Sequence, residues 1–344
     1  NNISVSATDL IDTHFSQNNE YLLAAAGGSA YIMPINPDKS VTEISVYPIT
    51  IYYDAAYYQD TVTSIDLNPD ASIAVVGTSK RDLLLYDVET GTLNGKISAS
   101  DGIAEHLYFS PDGLKILEVD NNGRLILWNA LTGYRMATSY LFGDNISDIT
   151  AKTDGNVYVV SQNMATTINA MNGEIMRRVV VPAEEIFAVS PAGNYIAGYT
   201  PIQVSLYNAR DGSLLLTLPE KAKETDIMRF ESWGRHPRQK FYGADFSLDG
   251  NRLVTFAEGG WWIYDQGMLL TDIKETTGLQ VFTPISKISQ DGTLVIGTPE
   301  GYLRGFHILK AKTGEYYGGV ELGYYGLLND AIEISSDKKW IGFL

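Results

Sequence analysis

The chain lacks cysteine entirely. Disulfide bonds, thiolate metal sites and cysteine nucleophiles are therefore excluded, and packing and hydrogen bonds must stabilise the fold. The longest apolar runs are well short of the roughly 20 residues that a membrane-spanning helix needs. No transmembrane segment is expected in this chain. The sequence also has no Gly-x-Ser-x-Gly elbow, Walker loop, His-Glu-x-x-His motif or EF-hand phrase. A non-catalytic protein is thus favoured over an enzyme, and no cofactor is predicted.

Basic residues are few, with 25 Lys and Arg against 41 Asp and Glu and a formal net charge of −16. An acidic surface repels phosphate backbones, so nucleic acid is not expected as a partner. In contrast, glycine (32 residues) and tyrosine (22 residues) are abundant in the 344-residue chain. Both residue types are typical of strands joined by tight turns.

Residues 107–133, LYFSPDGLKILEVDNNGRLILWNALTG, show the local pattern most clearly. Three apolar runs of strand length are separated by a Ser-Pro-Asp-Gly turn and an Asp-Asn-Asn-Gly turn, and a Thr-Gly turn follows. The Asp-Asn-Asn-Gly segment is too short for a calcium loop and lacks the closing Glu, so a hairpin turn is the better interpretation. The segment therefore predicts consecutive antiparallel strands.

The same phrase recurs along the chain. The first turn of the phrase begins at Ser16, Asn68, Ser110, Lys152, Ser190, Ser247, Ser289 and Ser335, in steps of 52, 42, 42, 38, 57, 42 and 46 residues. A second turn follows in phase, at Asn36, Glu89, Leu131, Met171, Arg210, Asp265 and Lys312. Spacings of roughly 40–45 residues are typical of four-stranded propeller blades. One such sheet cannot bury both of its faces alone, and stacking the units around an axis buries them.

The repeat resembles the WD40-type β-propeller family in its Ser-Pro-Asp-Gly-like turns and in the segments LYDVETG and LILWNALTG. The family's Trp-Asp dipeptide appears only as Trp128-Asn129, Tyr86-Asp87 and Tyr264-Asp265, and its opening Gly-His pair is missing. The chain looks closer to divergent bacterial WD40-like and quinoprotein-like propellers. The resemblance implies an all-β propeller of four-stranded blades.

Eight first turns favour eight blades, with seven as the alternative. The last unit, residues 331–344, offers only two strands, and residues 1–7 alternate like one further strand. We therefore expect a single domain, residues 1–344, closed by strands from both termini, because closure removes open sheet edges.

Two units contain insertions, at residues 47–61 and 219–240. Long insertions in repeats map to loops on one face, where function usually lies. The second insertion is locally basic, and its Arg, Trp and His side chains suit a protein interface or an anionic group. Its predicted partner-binding residues are Arg229, Trp233, Arg235, His236 and Arg238. Packing of Trp233 on a blade edge is the competing interpretation.

The first insertion contains a tyrosine cluster, Tyr52, Tyr53, Tyr57 and Tyr58. These rings could stack on a glycan or a partner, although cross-strand packing is favoured. The four histidines, His14, His106, His236 and His307, have no metal-ligand spacing, so no metal site is predicted. Trp261 and Trp262 point to opposite faces of one strand and are expected to pack between neighbouring blades.

These features favour a scaffold that binds protein partners, among them an acidic one at the basic insertion, as a subunit or accessory of a larger assembly. The alternative is a propeller that binds a quinone, a haem-like group or a glycan at the mouth of its channel. The absence of cysteine and a first residue other than Met favour the periplasm or cell surface of a bacterium, with the cytoplasm as the alternative.

Overall fold

The computed structural model of the protein describes residues 10–15, 20–26, 29–34, 42–45, 61–98, 101–140, 146, 148–151, 155–200, 203–218, 241–257, 260–272, 286–297, 304–322, 332–334 and 341–343. These residues form strands and turns and include no helix. The predicted all-β class is therefore confirmed. Within the described residues, no helix has the length and hydropathy to cross a bilayer.

The strands form seven four-stranded sheets and one two-stranded sheet in this part of the chain. Sheet 1 contains β1 (Leu10–Phe15), β2 (Tyr21–Ala26), β3 (Ser29–Pro34) and β4 (Thr42–Ser45). Sheet 2 contains β5 (Val62–Leu67), β6 (Ile73–Thr78), β7 (Asp82–Asp87) and β8 (Leu93–Ser98). Sheet 3 contains β9 (Ala104–Phe109), β10 (Lys115–Asp120), β11 (Arg124–Asn129) and β12 (Arg135–Tyr140). Sheet 4 contains β13 (Asp148–Ala151), β14 (Asn156–Ser161), β15 (Met164–Asn169) and β16 (Ile175–Val180).

The remaining sheets follow in the same manner along the chain. Sheet 5 contains β17 (Glu185–Val189), β18 (Tyr195–Thr200), β19 (Gln203–Asn208) and β20 (Leu214–Thr217). Sheet 6 contains β21 (Phe241–Phe246), β22 (Arg252–Ala257), β23 (Gly260–Asp265) and β24 (Met268–Asp272). Sheet 7 contains β25 (Ser286–Ile288), β26 (Leu294–Gly297), β27 (Arg304–Lys310) and β28 (Tyr316–Leu322). Sheet 8 contains β29 (Ile332–Ile334) and β30 (Ile341–Phe343).

Each four-stranded sheet is an antiparallel meander in which strands pair in sequence order. The first strands of successive sheets lie side by side, as β1 contacts β5 and β5 contacts β9. β29 of the two-stranded sheet contacts both β25 and β1. The fourth strands are consequently the outer edges of the sheets.

The hydrophobic core lies between successive sheets. Six clusters of buried side chains each join one sheet to the next, from the pair of sheets 1 and 2 to the pair of sheets 6 and 7. In β10, Ile116 packs toward sheet 2 whereas Leu117 and Val119 pack toward sheet 4. Because both faces are buried, the second and third strands read as nearly continuous apolar runs.

The tryptophan pair on β23 shows the same two-sided packing. Trp261 is fully buried against Ile288 and Val295 of sheet 7, and Trp262 packs among side chains of sheet 5. The prediction that the two rings face opposite neighbours is confirmed. Gly297 on β26 lies directly under the Trp261 ring, so that a Cβ atom there would overlap the indole.

Backbone hydrogen bonds to aspartate also join neighbouring sheets. Asp66 is buried on β5, and its Oδ2 accepts from the backbone N–H of Phe109 on β9 at 2.7 Å. Asp245 on β21 repeats the contact with the N–H of Ile288 on β25 at 2.9 Å. Both carboxylates satisfy a strand-end donor that would otherwise be left unpaired near the core.

The first turns have a recurring hydrogen-bond pattern, as expected from their sequence. The buried hydroxyl of Ser110 donates to Asp112 Oδ1 and accepts from the N–H of Lys115 at 3.0 Å. Asp112 Oδ1 also accepts from the N–H of Leu114 at 3.0 Å, while Gly113 has a φ of 70°. The same contacts recur at Ser247 and Asp249 and at Ser289 and Asp291. The turns at Ser16, Lys152 and Ser335 lie outside the described residues.

Hydroxyl donors stabilise the ionised form of several turn aspartates. The Ser110 hydroxyl is the main reason that the pKa of Asp112 lies below its ordinary value. Ser72, Thr90 and Ser213 lower the pKa of three other turn carboxylates, Asp70, Asp87 and Asp211, in the same way. These side chains therefore serve the turns as hydrogen-bond acceptors, which is a structural role.

Replacing Asp112 with alanine is expected to lower stability by about 1 kcal/mol, because two hydrogen bonds to the turn are lost. The melting temperature should fall by roughly 1–2 °C, measured by circular dichroism. Sheet 5 offers the reverse test, since Ser190 has Ala192 at the corresponding position. Ala192→Asp should raise the melting temperature, and a decrease there would contradict the assigned role.

Gly297→Ala should destabilise the protein by about 1–3 kcal/mol, because the added methyl group would overlap the buried Trp261 ring. Urea denaturation measures this change. Gly318→Ala on β28 is the matched control, since its Cβ would meet only Ile308 Cδ1, at 4.0 Å. Equal stability of the two variants would show that the Trp261 contact does not constrain the position.

Candidate protein-interaction surface

The side chains predicted as partner-binding lie outside the described residues, namely Arg229, Trp233, Arg235, His236 and Arg238. The tyrosine cluster, Tyr52, Tyr53, Tyr57 and Tyr58, also lies outside them. The two insertions connect β4 to β5 and β20 to β21. Each therefore links the outer strand of one sheet to the first strand of the next.

An exposed apolar surface lies on the described outer strands of sheets 4, 5 and 6. We call it the leucine strip, and it consists of Val180, Leu214, Leu215, Leu216 and Met268. Their exposed fractions are 60%, 57%, 49%, 38% and 72%, in that order. All four residues of β20 are exposed, which is unusual for a strand of such apolar composition.

Two glycine turns bring the outer strands of sheets 4, 5 and 6 close together. Gly212, with a φ of 75°, packs against the backbone carbonyl of Val180 at the end of β16. Gly267, with a φ of 79°, packs against the side chain of Leu216. In both places a Cβ atom would overlap the neighbouring outer strand. Only residues without a side chain permit this approach, so each turn lies directly against the outer strand of the preceding sheet.

β20 differs from the other outer strands in charge. Among the fourth strands that the structure describes, it alone has no charged residue; the others contain Glu43, Lys96, Arg135, Arg177 and Arg178, Asp272 and Glu321. Charges on edge strands prevent unwanted pairing and burial. Their absence from β20, together with three exposed leucines, is the arrangement expected of a surface that is covered in use.

A β-bulge limits how β20 can be covered. The pairing of β19 with β20 shifts between Leu206 and Tyr207, which leaves Leu215 as an extra residue opposite no partner. Bulges bend a strand and disrupt ladder pairing, so a long added strand would not fit this edge. Burial of the leucine side chains is therefore the main contribution available. Fully burying one exposed leucine is worth about 1.5–3 kcal/mol, and the partly covered side chains here offer less.

The repeat predicts a fourth strand after the turn at Arg210, which is β20, but it does not predict that this strand is exposed. The strand order already places every fourth strand at a sheet edge. The sequence signal for an exposed apolar edge was therefore the absence of charge from this fourth strand, because the other fourth strands contain charged residues. Of the histidines, His106 lies on β9, a first strand, and His307 lies on β27, a third strand. Within the described residues, no three His, Asp or Glu side chains come together as a metal site would require.

The Asp-Asn-Asn-Gly segment forms a hairpin turn between β10 and β11, as predicted. Asp120 Oδ1 accepts from the N–H groups of Asn122 and Arg124, both at 2.9 Å. Gly123 has a φ of 68°. The carboxylate is thus committed to its own turn and to Arg124, whose guanidinium lies 2.7 Å from Asp120 Oδ2.

No family model matches the chain, and no curated protein matches it. Among solved structures, the chain is similar to the crystal structure of the C-terminal WD40 domain of Sif2, with 14% sequence identity and a TM-score of 0.63. The alignment covers 98% of this chain and 96% of that domain. The likeness confirms the predicted WD40-like β-propeller fold, and at this identity it shows the fold alone.

Proposed function

We propose that this protein is a non-catalytic β-propeller scaffold that binds protein partners as a subunit or accessory of a larger assembly. The observation that supports this function is the leucine strip, a set of exposed apolar side chains on the outer strands of three successive sheets, centred on the uncharged strand β20. A partner protein of complementary apolar surface would cover it. The net charge of −16 opposes non-specific association of the remaining surface.

Leu214→Glu should abolish partner binding without lowering the melting temperature, because the side chain is exposed in the free protein. Leu93→Glu is a closely matched control. Leu93 and Leu214 both begin a fourth strand and pair with Tyr86 and Tyr207, which occupy corresponding positions. Their exposed fractions, 53% and 57%, are also nearly equal. Leu93 differs in being followed by Asn94, Gly95 and Lys96 instead of further leucines.

The measurement is affinity capture from the native source with quantitative mass spectrometry, followed by binding assays with each purified candidate. A partner retained by wild type and Leu93→Glu but lost by Leu214→Glu supports the proposal. Equal loss in both variants would indicate non-specific apolar capture. Partners retained by Leu214→Glu would contradict a role for the strip.

The basic insertion is proposed as a second contact for partners. Its residues Arg229, Trp233, Arg235, His236 and Arg238 follow directly on β20, and Trp and Arg are common at binding hot spots. The same capture with Trp233→Ala assigns its contribution. We also propose that, among WD40-like propellers, the chain is most similar to divergent bacterial and quinoprotein-like ones. We further propose that the protein is located in the periplasm or at the cell surface of a bacterium.

Eight blades in a ring closed by both termini are proposed for the architecture. The contacts of β29 with both β25 and β1 support this arrangement. Deleting residues 1–7 should then lower the melting temperature by several degrees, because a closing strand is lost and sheet edges open. An unchanged melting temperature in differential scanning calorimetry would contradict closure by the N-terminal segment.

A further inference from the structure

Three arginines from separate segments converge on one aspartate between sheets 2 and 3. Asp101 Oδ2 lies 3.1 Å from Arg124 Nη1 and 3.0 Å from Arg135 Nη2. Arg81 Nη1 donates to the backbone carbonyl of the same residue at 3.5 Å. We call this group the arginine seam, formed by Arg81, Arg124 and Arg135 around Asp101. It lies where the connection from β8 to β9 crosses between the two sheets.

Two of these guanidinium groups are held in place by other side chains of sheet 3. Arg124 is fixed by the fully buried carboxylate of Asp120, which accepts from its Nε at 2.8 Å and lies 2.7 Å from its Nη2. Arg135 stacks over the ring of Trp128, with 5.2 Å between its Cζ atom and the ring centroid. Pre-organised guanidinium groups lose little freedom when they bind a carboxylate, which favours recognition of that group.

Arg81 occupies a backbone conformation that favours glycine. Its φ is 68°, and the corresponding residue of the next sheet is Gly123, also with a φ of 68°. An L-residue other than Gly, Asn or Asp in this region costs roughly 1 kcal/mol. The turn would be more stable with glycine, so the guanidinium of Arg81 is retained at a cost to the fold.

The seam brings three arginines together in a strongly acidic chain. Three arginines face two carboxylates, those of Asp101 and Asp120, and only Asp101 is substantially exposed. Its side chain is half exposed, at 51%, so solvent and other molecules reach the shared oxygen. Asp101 thus occupies the position in which the two guanidinium groups would bind an incoming carboxylate.

We propose that the arginine seam binds an acidic side chain from a protein partner, with Asp101 as an internal competitor for the same guanidinium groups. The inference rests on the proposed function, because it assumes a protein partner, but it uses a surface separate from the leucine strip. The arginines of the seam would attract an acidic segment toward one place on a surface that is acidic overall, which favours one orientation. Guanidinium groups bind carboxylates through charge-assisted hydrogen bonds of the kind that Asp101 already accepts.

The test is an NMR titration of protein labelled with ¹⁵N-arginine, using a terminally blocked tetra-aspartate peptide. A tetra-asparagine peptide is the uncharged control. The guanidinium signals of Arg81 and Arg135 should shift saturably with the acidic peptide, and salt should weaken the effect. Arg81→Gly and Arg135→Gln together should weaken binding by about tenfold or more. Arg81→Gly relieves the left-handed backbone, and an unchanged melting temperature of the double variant would show that lost binding is not caused by unfolding.

Asp101→Asn tests the competition directly. It removes the internal carboxylate and should strengthen peptide binding by roughly three- to tenfold, whereas a purely structural salt bridge would give no gain. Arg210→Gln, at an exposed arginine in the turn between β19 and β20, should leave binding unchanged. The proposal would be overturned if the acidic peptide caused no saturable shifts, or if Arg210→Gln weakened binding equally. It would also be overturned if the seam bound inorganic phosphate but did not bind the acidic peptide. None of these results would bear on the leucine strip.

Discussion

A four-stranded sheet with two apolar faces cannot bury both of them by itself, and the rest of this structure depends on that constraint. Every described core cluster lies between two successive sheets, so that each sheet is stable only between its neighbours. First strands are enclosed and fourth strands become edges. The free positions for function are therefore the outer strands, the connections between sheets and the turns.

The repeat could be predicted from the sequence because its turns depend on local chemistry. A serine hydroxyl, a carboxylate two residues later and a residue of positive φ, such as Ser110, Asp112 and Gly113, suffice to define the turn. Sheet 5 shows how far the pattern can vary. Ala192 replaces the aspartate there, and the Ser190 hydroxyl still accepts from the N–H groups of Asn194 and Tyr195 at 3.1 and 3.0 Å.

The candidate surfaces could not be predicted in the same way, since they depend on distances between segments far apart in sequence. Arg81, Arg124 and Arg135 belong to different turns and strands, and only the connection after β8 brings Asp101 to all three. For β20, the sequence pattern indicated an apolar strand but not which side it faces. All four residues of β20 are exposed, and this exposure depends on which neighbouring segments cover the outer strand, which the local sequence does not specify.

The two surfaces differ in what each can contribute to an interaction. Burial of the leucine strip is non-directional and contributes affinity in proportion to the apolar area that is covered. The arginine seam contributes orientation, because two guanidinium groups fixed by Asp120 and Trp128 accept a carboxylate from a narrow range of directions. A partner that contacts both must present an apolar surface and an acidic segment at a fixed separation. That requirement is more selective than either surface alone, so the two surfaces together would discriminate among partners.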